Sequence, residues 1–326
     1  MKVLVTGGAG FIGSNIILQL LKEKTISKII CFDNYAIYLQ SINNNFNDFR
    51  NLRFINKFSK KIIFERGESN NAFVVNNIIK KYQPSYIFHL AALPLAKIDN
   101  LNFSEAGNGS VESTKILIES VHQNLKNDNF KRFIYCSSSM VYGNFLNDEI
   151  NENHPTNPIE IYGLAKLIGE TITKGLCNFY NLDFSIVRPS AVYGPTDMNR
   201  RVIQTFIEKA INKEQIVIRG KNEILDFSYV EDVARGFIKA AFEKNASKQT
   251  YNITNGKGRK LIDVIKILKK YFKDIDYIIA DRDKFRPKRG TLSISKAVKQ
   301  LKYKPKVNLE IGIDKTINFY KKNNLL

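Results

Sequence analysis

Short apolar runs alternate with longer amphipathic segments through the first 189 residues, and no other feature limits the possible folds as strongly. The runs are KVLVT (2–6), KIICF (28–32), KIIFE (61–65), SYIFHL (85–90), RFIYC (132–136) and FSIVRP (184–189). Helical patterns at about 11–23, 71–82, 103–126 and 157–180 lie between them. Strand, crossover helix, strand is the rhythm of βαβ units, so the expected class is α/β with a doubly wound parallel sheet. The stretch 35–60 is too rich in Asn to read as more than a loop with one helix.

After Pro189 the connections lengthen and carry more charge. Leu261, Val264, Ile265, Leu268 and Phe272 share one face at a 3.6-residue period, which marks an amphipathic helix. The expected division is a sheet domain over 1–188 and a smaller α/β lobe over 189–326. A cleft is expected between them, with a segment near 229–242 returning to the first domain. A chain of 326 residues with 44% hydrophobic content is long enough for both cores.

The formal charge of +19 raises the question of a nucleic-acid or membrane partner. The lysines are scattered, in pairs such as Lys60-Lys61, Lys80-Lys81, Lys269-Lys270 and Lys321-Lys322, and read as solvated faces rather than one basic patch. No nucleic acid is expected. No membrane is expected either: no run approaches the roughly 18 apolar residues that span a bilayer, and the N-terminal run is too short for a signal segment. Cys31, Cys136 and Cys177 sit in apolar surroundings without metal-type spacing, which fits a reducing, cytoplasmic setting. His89, His122 and His154 lie too far apart in sequence to suggest a metal cluster.

The run KVLVT leads directly into GGAGFIG, which places Gly7, Gly10 and Gly13 at the mouth of a helix that begins near Phe11 and Ile12. Glycines at these points let the backbone approach a pyrophosphate, and the helix N-terminus presents unpaired N–H groups to it. Asp33 ends the second run, followed by Asn34. A carboxylate there accepts hydrogen bonds from the adenosine ribose hydroxyls and repels a 2′-phosphate, so the expected cofactor is NAD rather than NADP. Glu68, in FERGES, either meets the adenine edge or is a solvated loop carboxylate. Leu90, Ala91 and Ala92 of HLAAL are small or apolar where the chain must pass the cofactor, and His89 reads as a packed strand residue.

Two segments carry the expected chemistry: SSSMVYG (137–143), which closes the run RFIYC, and YGLAK (162–166). A Tyr and a Lys four apart share a helix face. Oxidising a secondary alcohol requires its proton to leave as hydride moves to the nicotinamide, and a phenol at its ordinary pKa of about 10 is a poor base at neutral pH. A neighbouring ammonium favours the phenolate. Tyr162 is therefore the expected base and Lys166 its partner, with Lys166 also able to hold the nicotinamide ribose. Ser138 is assigned the hydroxyl that orients the substrate oxygen and can pass the proton.

TGGAGFIGS, HLAAL, SSSMVYG, YGLAK, RPSAVYGP, DFSYVEDVA and SISKA occur in an order that resembles the extended short-chain dehydrogenase/reductases, specifically the sugar-nucleotide epimerases and dehydratases. The resemblance covers nearly the whole chain. It implies NAD held by an N-terminal Rossmann domain, a nucleoside-diphosphate sugar held by the C-terminal lobe, and transient oxidation at sugar C4. It also implies a homodimer or higher homo-oligomer built on the helices near 103–126 and 157–180. In the family's pattern Ser138 contacts the C4 hydroxyl. The next two positions resemble Asp-Glu in 4,6-dehydratases, where they eliminate water across C5 and C6. Here they are Ser139 and Met140, and methionine cannot exchange protons. The implied outcome is 4-epimerisation through a 4-keto sugar, or release of that ketone by a 4-dehydrogenase. A non-catalytic NAD- or nucleotide-sensing protein is the reading from another class, and intact Ser138, Tyr162 and Lys166 argue against it.

The substrate lobe departs from the family in places. Arg200 and Arg201 head a helix and either meet a diphosphate as fork-shaped donors or stand solvated. Where the family often has Arg before the D-F/Y-x-x-V segment, this chain has Leu225, and Arg219, or Arg286 and Arg289 in FRPKRG, are the substitutes. GSVEST (109–114) stands where N-V-x-G-T is usual, with Ser110 for the Asn. The nucleotide therefore stays open among UDP, GDP and dTDP.

Overall fold

Strands whose side chains are apolar on both faces can only be buried between two layers of helix, and that is where the chain puts them. The computed structural model describes residues 1–36, 59–93, 102–125, 129–283 and 285–323. Its central sheet is built from β1 (Lys2–Thr6), β2 (Lys28–Asp33), β3 (Ile62–Arg66), β4 (Tyr86–His89), β5 (Arg132–Cys136), β6 (Phe184–Arg188) and β7 (Gln249–Asn252). The seven strands run in the order β7-β6-β5-β4-β1-β2-β3 and every pairing is parallel. The fold class is the doubly wound α/β sheet expected from the sequence. All six apolar runs became strands, with ends moved by a residue or two. Most of the 35–60 reading falls outside the described residues.

β1 has Val3 against Ile29 of β2 on one side and Tyr86 of β4 on the other, so the strand order reverses there. A crevice opens at such a reversal, beyond the carboxyl ends of the strands. Helices α1 (Phe11–Leu20), α2 (Ala72–Tyr82), α3 (Phe103–Gly107), α4 (Ser113–Asn124), α5 (Ile161–Phe179), α6 (Val202–Ile211) and α7 (Val230–Phe242) cover the two faces or lead into the second lobe. On one face Ile16, Ile17 and Leu20 of α1 share a core with Val233, Ala234 and Phe237 of α7. On the other, Val75 and Ile79 of α2 and Leu117 and Val121 of α4 close over Leu4 and Ile30.

The pattern at 103–126 does not make one helix. A π-turn over Asn108–Glu112 separates α3 from α4. There the Ser113 and Thr114 hydroxyls donate back to the Gly109 and Ser110 carbonyls, at 2.6 Å each. Such back-bonding competes with regular helix and bends it. The wider turn lays Gly109 against the chain after β4, where a Cβ would lie 3.1 Å from the Ala92 Cα.

Much of the remaining chain gathers around a second core, while Ala297 and Leu301 at 295–301 join the first core beside Val233 and Phe237 of α7. Helices α8 (Leu261–Leu268), α9 (Ser295–Leu301) and α10 (Leu309–Lys322) complete the chain order. Ile207 of α6, Val264, Ile265 and Leu268 of α8, and Ile313 and Ile317 of α10 meet over the parallel pair Ile216–Arg219 and Tyr277–Ala280. The apolar face expected at 261–272 is the buried face of α8, although the helix ends at Leu268 and Phe272 lies beyond it, partly buried. Among the described residues no helix is long and apolar enough to cross a membrane.

Candidate active site

The loop after β1 is closed by backbone. Gly7 has φ +65°, and a Cβ on it would lie 2.9 Å from the Ala91 amide nitrogen. A Cβ on Gly13 would lie 2.9 Å from the Gly8 Cα and closer still to the Gly7 carbonyl oxygen. Gly10 caps α1 without any side-chain hydrogen bond, which leaves the first-turn N–H groups facing the crevice. Asp33 reaches across to this loop: its Oδ2 accepts from the Ala9 N–H at 3.0 Å and its Oδ1 from the Tyr35 N–H at 2.8 Å. Beyond it, the Asn34 amide donates to both Glu68 oxygens at 3.2 Å.

These groups open onto a cleft of about 450 Å³. It is lined by Gly7, Gly10, Phe11, Ile12 and Gly13, by Leu90, Ala91 and Ala92 packed against the loop, by Asp33, Asn34 and Glu68, and by Tyr162 and Lys166. A backbone-walled loop, an open helix N-terminus and a carboxylate at the end of β2 together fit a dinucleotide. Among the described residues no group of His, Cys, Asp or Glu gathers in a metal-ligating arrangement.

Tyr162 and Lys166 sit on the first turns of α5. That helix starts where Glu160, extended at φ −144°, caps it twice: Oε2 accepts from the Tyr162 N–H and Oε1 from the Gly163 N–H, both at 2.9 Å. Two glycines let α5 lie hard against the end of β5. A Cβ on Gly163 would lie 2.6 Å from the Met140 carbonyl oxygen, and one on Gly169 would strike the Tyr135 hydroxyl. Lys166 Nζ donates to the Cys136 carbonyl at 2.8 Å, below the Tyr162 ring at 5.8 Å from its centroid. Ser138 accepts from the Met140 N–H at 3.2 Å and hydrogen-bonds the Tyr162 side chain. Burial pushes the Tyr162 phenol up, while the Arg201 charge and the Ser138 hydrogen bond pull it down. Burial pushes the Lys166 ammonium down against the opposing pull of Cys136 and Glu170. His89 is packed: Nδ1 meets the Thr6 hydroxyl at 2.7 Å and Nε2 the Thr114 hydroxyl at 3.0 Å, and burial holds its pKa down at about 3.

The other residues singled out in the sequence are scattered. Ser139 and Met140 are both buried in a short 3-10 turn, and the Ser139 hydroxyl donates to Ser190 at 3.1 Å. Arg201 lines the cleft, close enough to Tyr162 and Cys136 to act on both, and donates to the Val192 carbonyl at 3.0 Å. Arg200, at φ +47°, does not line the cleft; its N–H donates to Gln204. Arg219 is exposed at the end of its strand. Arg286 pairs with Asp283 at 3.7 Å, and Arg289 stands beside Arg286, Glu223 and Glu160. Burial and the Arg286 charge push the Arg289 guanidinium down to about 10, and its buried Nε has no partner among the described residues. Leu225 pairs with Arg259, which is engaged by Glu310 at 2.8 Å. Cys136, Met198 and Asn199 also line the cleft. Cys136 was foreseeable as the last residue of β5. Met198 and Asn199 were not, because the left-handed residues Thr196 and Arg200 on either side turn their loop inward.

Comparison with known proteins places this arrangement in context. A family model described as the NAD dependent epimerase/dehydratase family matches residues 3–254. A putative UDP-glucose 4-epimerase of Methanocaldococcus jannaschii is 31% identical over 334 residues, covering 99% of this chain and 99% of that protein. The dTDP-D-glucose 4,6-dehydratase of Mus musculus is 28% identical over 337 residues, covering 99% of this chain and 89% of that protein. Among solved structures, the UDP-glucuronic acid 4-epimerase from Bacillus cereus, in complex with UDP-glucuronic acid and NAD, gives a TM-score of 0.87 at 25% identity over 99% of each chain. The UDP-glucose 4-epimerase of Thermotoga maritima, with UDP-glucose, gives 0.86 at 26% identity over 99% of this chain and 100% of that one.

Proposed function

Because the chain belongs to the NAD dependent epimerase/dehydratase family, we propose that it carries out NAD-dependent chemistry at C4 of a nucleoside-diphosphate sugar and that its product is the C4 epimer. Its relatives divide between 4-epimerases and 4,6-dehydratases. One observation supports the 4-epimerase reading over the dehydratase: the two residues after Ser138 offer no acid–base pair. Ser139 is occupied with Ser190, and Met140 has no proton to give or take. A ketone formed at C4 can then only be reduced again or released.

NAD, when bound, accepts a hydride from the carbinol carbon and returns it. Tyr162 takes the C4 hydroxyl proton and gives it back on reduction. The Arg201 charge favours the ionised phenol against the burial that opposes it, and Lys166 Nζ lies 5.8 Å from the ring centroid. Ser138, already bonded to Tyr162, orients the sugar oxygen. Asp33 takes the adenosine ribose hydroxyls, with Asn34 and Glu68 beside the adenine. Arg286 and Arg289 are the proposed grip on the diphosphate, supported by the unpartnered Nε of Arg289. We place the protein in the cytoplasm as a homodimer. Exposed Phe103, Leu164 and Phe179 on α3 and α5 support a self-association face there.

The test is product analysis by NMR after incubation with catalytic NAD and UDP-glucose, UDP-glucuronic acid, dTDP-glucose or GDP-mannose. The expected product is a C4 epimer from one of them. A free 4-keto sugar with stoichiometric reduced NAD would identify a 4-dehydrogenase, and a 4-keto-6-deoxy sugar would overturn the reading of residues 139 and 140. Tyr162→Phe should lower turnover by about 10³-fold or more while NAD still binds. Unchanged turnover in that variant would leave a sensing role.

A further inference from the structure

The end of β5 and the first turns of α5 bring Ser138, Tyr162 and Lys166 together, tied by the Lys166 bond to the Cys136 carbonyl and the Ser138–Tyr162 hydrogen bond. A further connection lies one turn further along α5. Glu170, four residues after Lys166 and 1% exposed, accepts from Arg188 at the end of β6 through both oxygens, at 2.8 and 2.7 Å, and from the Ser137 hydroxyl at 2.5 Å. We propose that Glu170 and Arg188 are positioning residues: their buried charge pair locks the serine turn that carries Ser138 to the face of α5 that carries Tyr162 and Lys166, and leaves no unbalanced charge beside Lys166. This rests on the function proposed above.

Ser138 is bracketed on both sides. Before it, Ser137 is held by Glu170 and by its N–H to the Val187 carbonyl at 2.8 Å. After it, the Ser139 N–H meets the Pro189 carbonyl at 2.9 Å. The arginine is fixed in turn, with its guanidinium 4.7 Å from the centroid of Tyr142, whose hydroxyl donates to Asn252 on β7 at 2.7 Å. A purely structural brace would not need charge here. Apolar side chains of similar volume hold buried elements together at least as well, because an ion pair loses its hydration on burial.

The titratable groups that face Lys166 come from three elements. Cys136 and Tyr135 lie on β5, Tyr162 and Glu170 on α5, and His89 on β4, where burial keeps the imidazole neutral. Arg201 acts on Tyr162 and Cys136 from the loop before α6, and Lys174 lies 3.9 Å from Glu170 at the surface. Glu170 is the carboxylate among them. Losing it would leave the Arg188 cation unopposed, and losing Arg188 would leave Glu170 unopposed.

The experiment measures turnover and calorimetric NAD affinity across pH for the wild type, Tyr162→Phe, Glu170→Gln and Arg188→Met. Turnover needs Tyr162 ionised and Lys166 protonated, so its profile is bell-shaped and the alkaline limb reports Lys166. Glu170→Gln should move that limb, and the pH at which NAD affinity falls, down by about one unit; Arg188→Met should move both up by a similar amount. Glu170→Asp and Arg188→Lys keep the charges, so the limb should stay in place while kcat drops about tenfold and KM stays within about threefold. Limbs that do not move, or that move the same way, overturn the proposal. If neither neutral variant folds, the double variant Glu170→Gln/Arg188→Met should keep the wild-type limb with a reduced kcat, and a wild-type kcat there overturns it. A wild type that turns over no nucleotide sugar, or a Tyr162→Phe that does so fully, breaks the functional reading instead. The calorimetric arm needs no sugar and still decides this proposal.

Discussion

Gly13→Ala tests whether the glycine loop seats the cofactor. A Cβ at this position would lie 2.9 Å from the Gly8 Cα and 3.0 Å from the Gly7 carbonyl carbon, against ordinary contact from 3.4 Å, and closest of all to the Gly7 oxygen. All of these are backbone atoms, so no side chain can rotate away and the loop itself must shift by roughly 0.5 Å or more. Inserting a carbon into a packed site costs about 1–3 kcal/mol, and a backbone neighbour puts this case at the upper end. The same shift moves the open N–H groups of α1, so the NAD dissociation constant should rise about 100-fold, equivalent to about 2.7 kcal/mol. Gly175→Ala is the control. Gly175 is exposed within α5 with nothing within 4 Å of a Cβ, so alanine should stabilise by about 0.5–1 kcal/mol and leave NAD affinity alone. Calorimetry with NAD and melting curves with and without it give both numbers. A Gly13→Ala protein with wild-type melting temperature and NAD affinity would refute the seating of a dinucleotide in this loop.

Asp33→Asn should narrow the preference for NAD over NADP by about tenfold, because the charge facing the 2′ position is gone; an unchanged ratio of dissociation constants would move the ribose site elsewhere. His89 has a folded pKa of about 3 against about 6.5 when unfolded, so the unfolded chain binds the extra proton between those values. Its contribution to stability is therefore complete above about pH 6.5 and declines as pH falls, by up to about 1.4 kcal/mol per unit. Melting temperatures of His89→Asn between pH 7 and 5 should decline less than those of the wild type. Arg132→Met removes a guanidinium that pairs with Asp183 at 2.7 Å and caps α7 through the Ala240, Ala241 and Glu243 carbonyls. Denaturation in urea should show a loss of about 2–4 kcal/mol with NAD affinity unchanged, and a loss under about 0.5 kcal/mol would mean the cap contributes nothing.

The sheet was legible because its inner strands are buried on both faces, so RFIYC and FSIVR read as continuous apolar runs. β7 was not, since QTYN is an edge strand with only its last two residues buried and carries no such run. The break at Asn108–Glu112 was hidden for another reason: hydroxyls that bond back to their own helix leave its periodicity intact. In the site, the glycines, Asp33 and the Tyr162-Lys166 pair could be found because each lies at a fixed spacing from a strand or from each other. Arg201 was singled out only for a diphosphate, and neither its place beside Tyr162 nor the Glu170-Arg188 pair could be found. The first depends on left-handed residues in a loop, and the second joins positions 18 apart on different elements.

The chain crosses to the second lobe after β6 and then comes back to lay α7 over α1 and to add β7 at the edge of the sheet. A gene cut after codon 188 would thus leave Ile16, Ile17 and Leu20 uncovered and one flank of β6 open to stray strands. Anyone building chimaeras between relatives must leave that returning piece, and α9 that packs beside it, with their original owner.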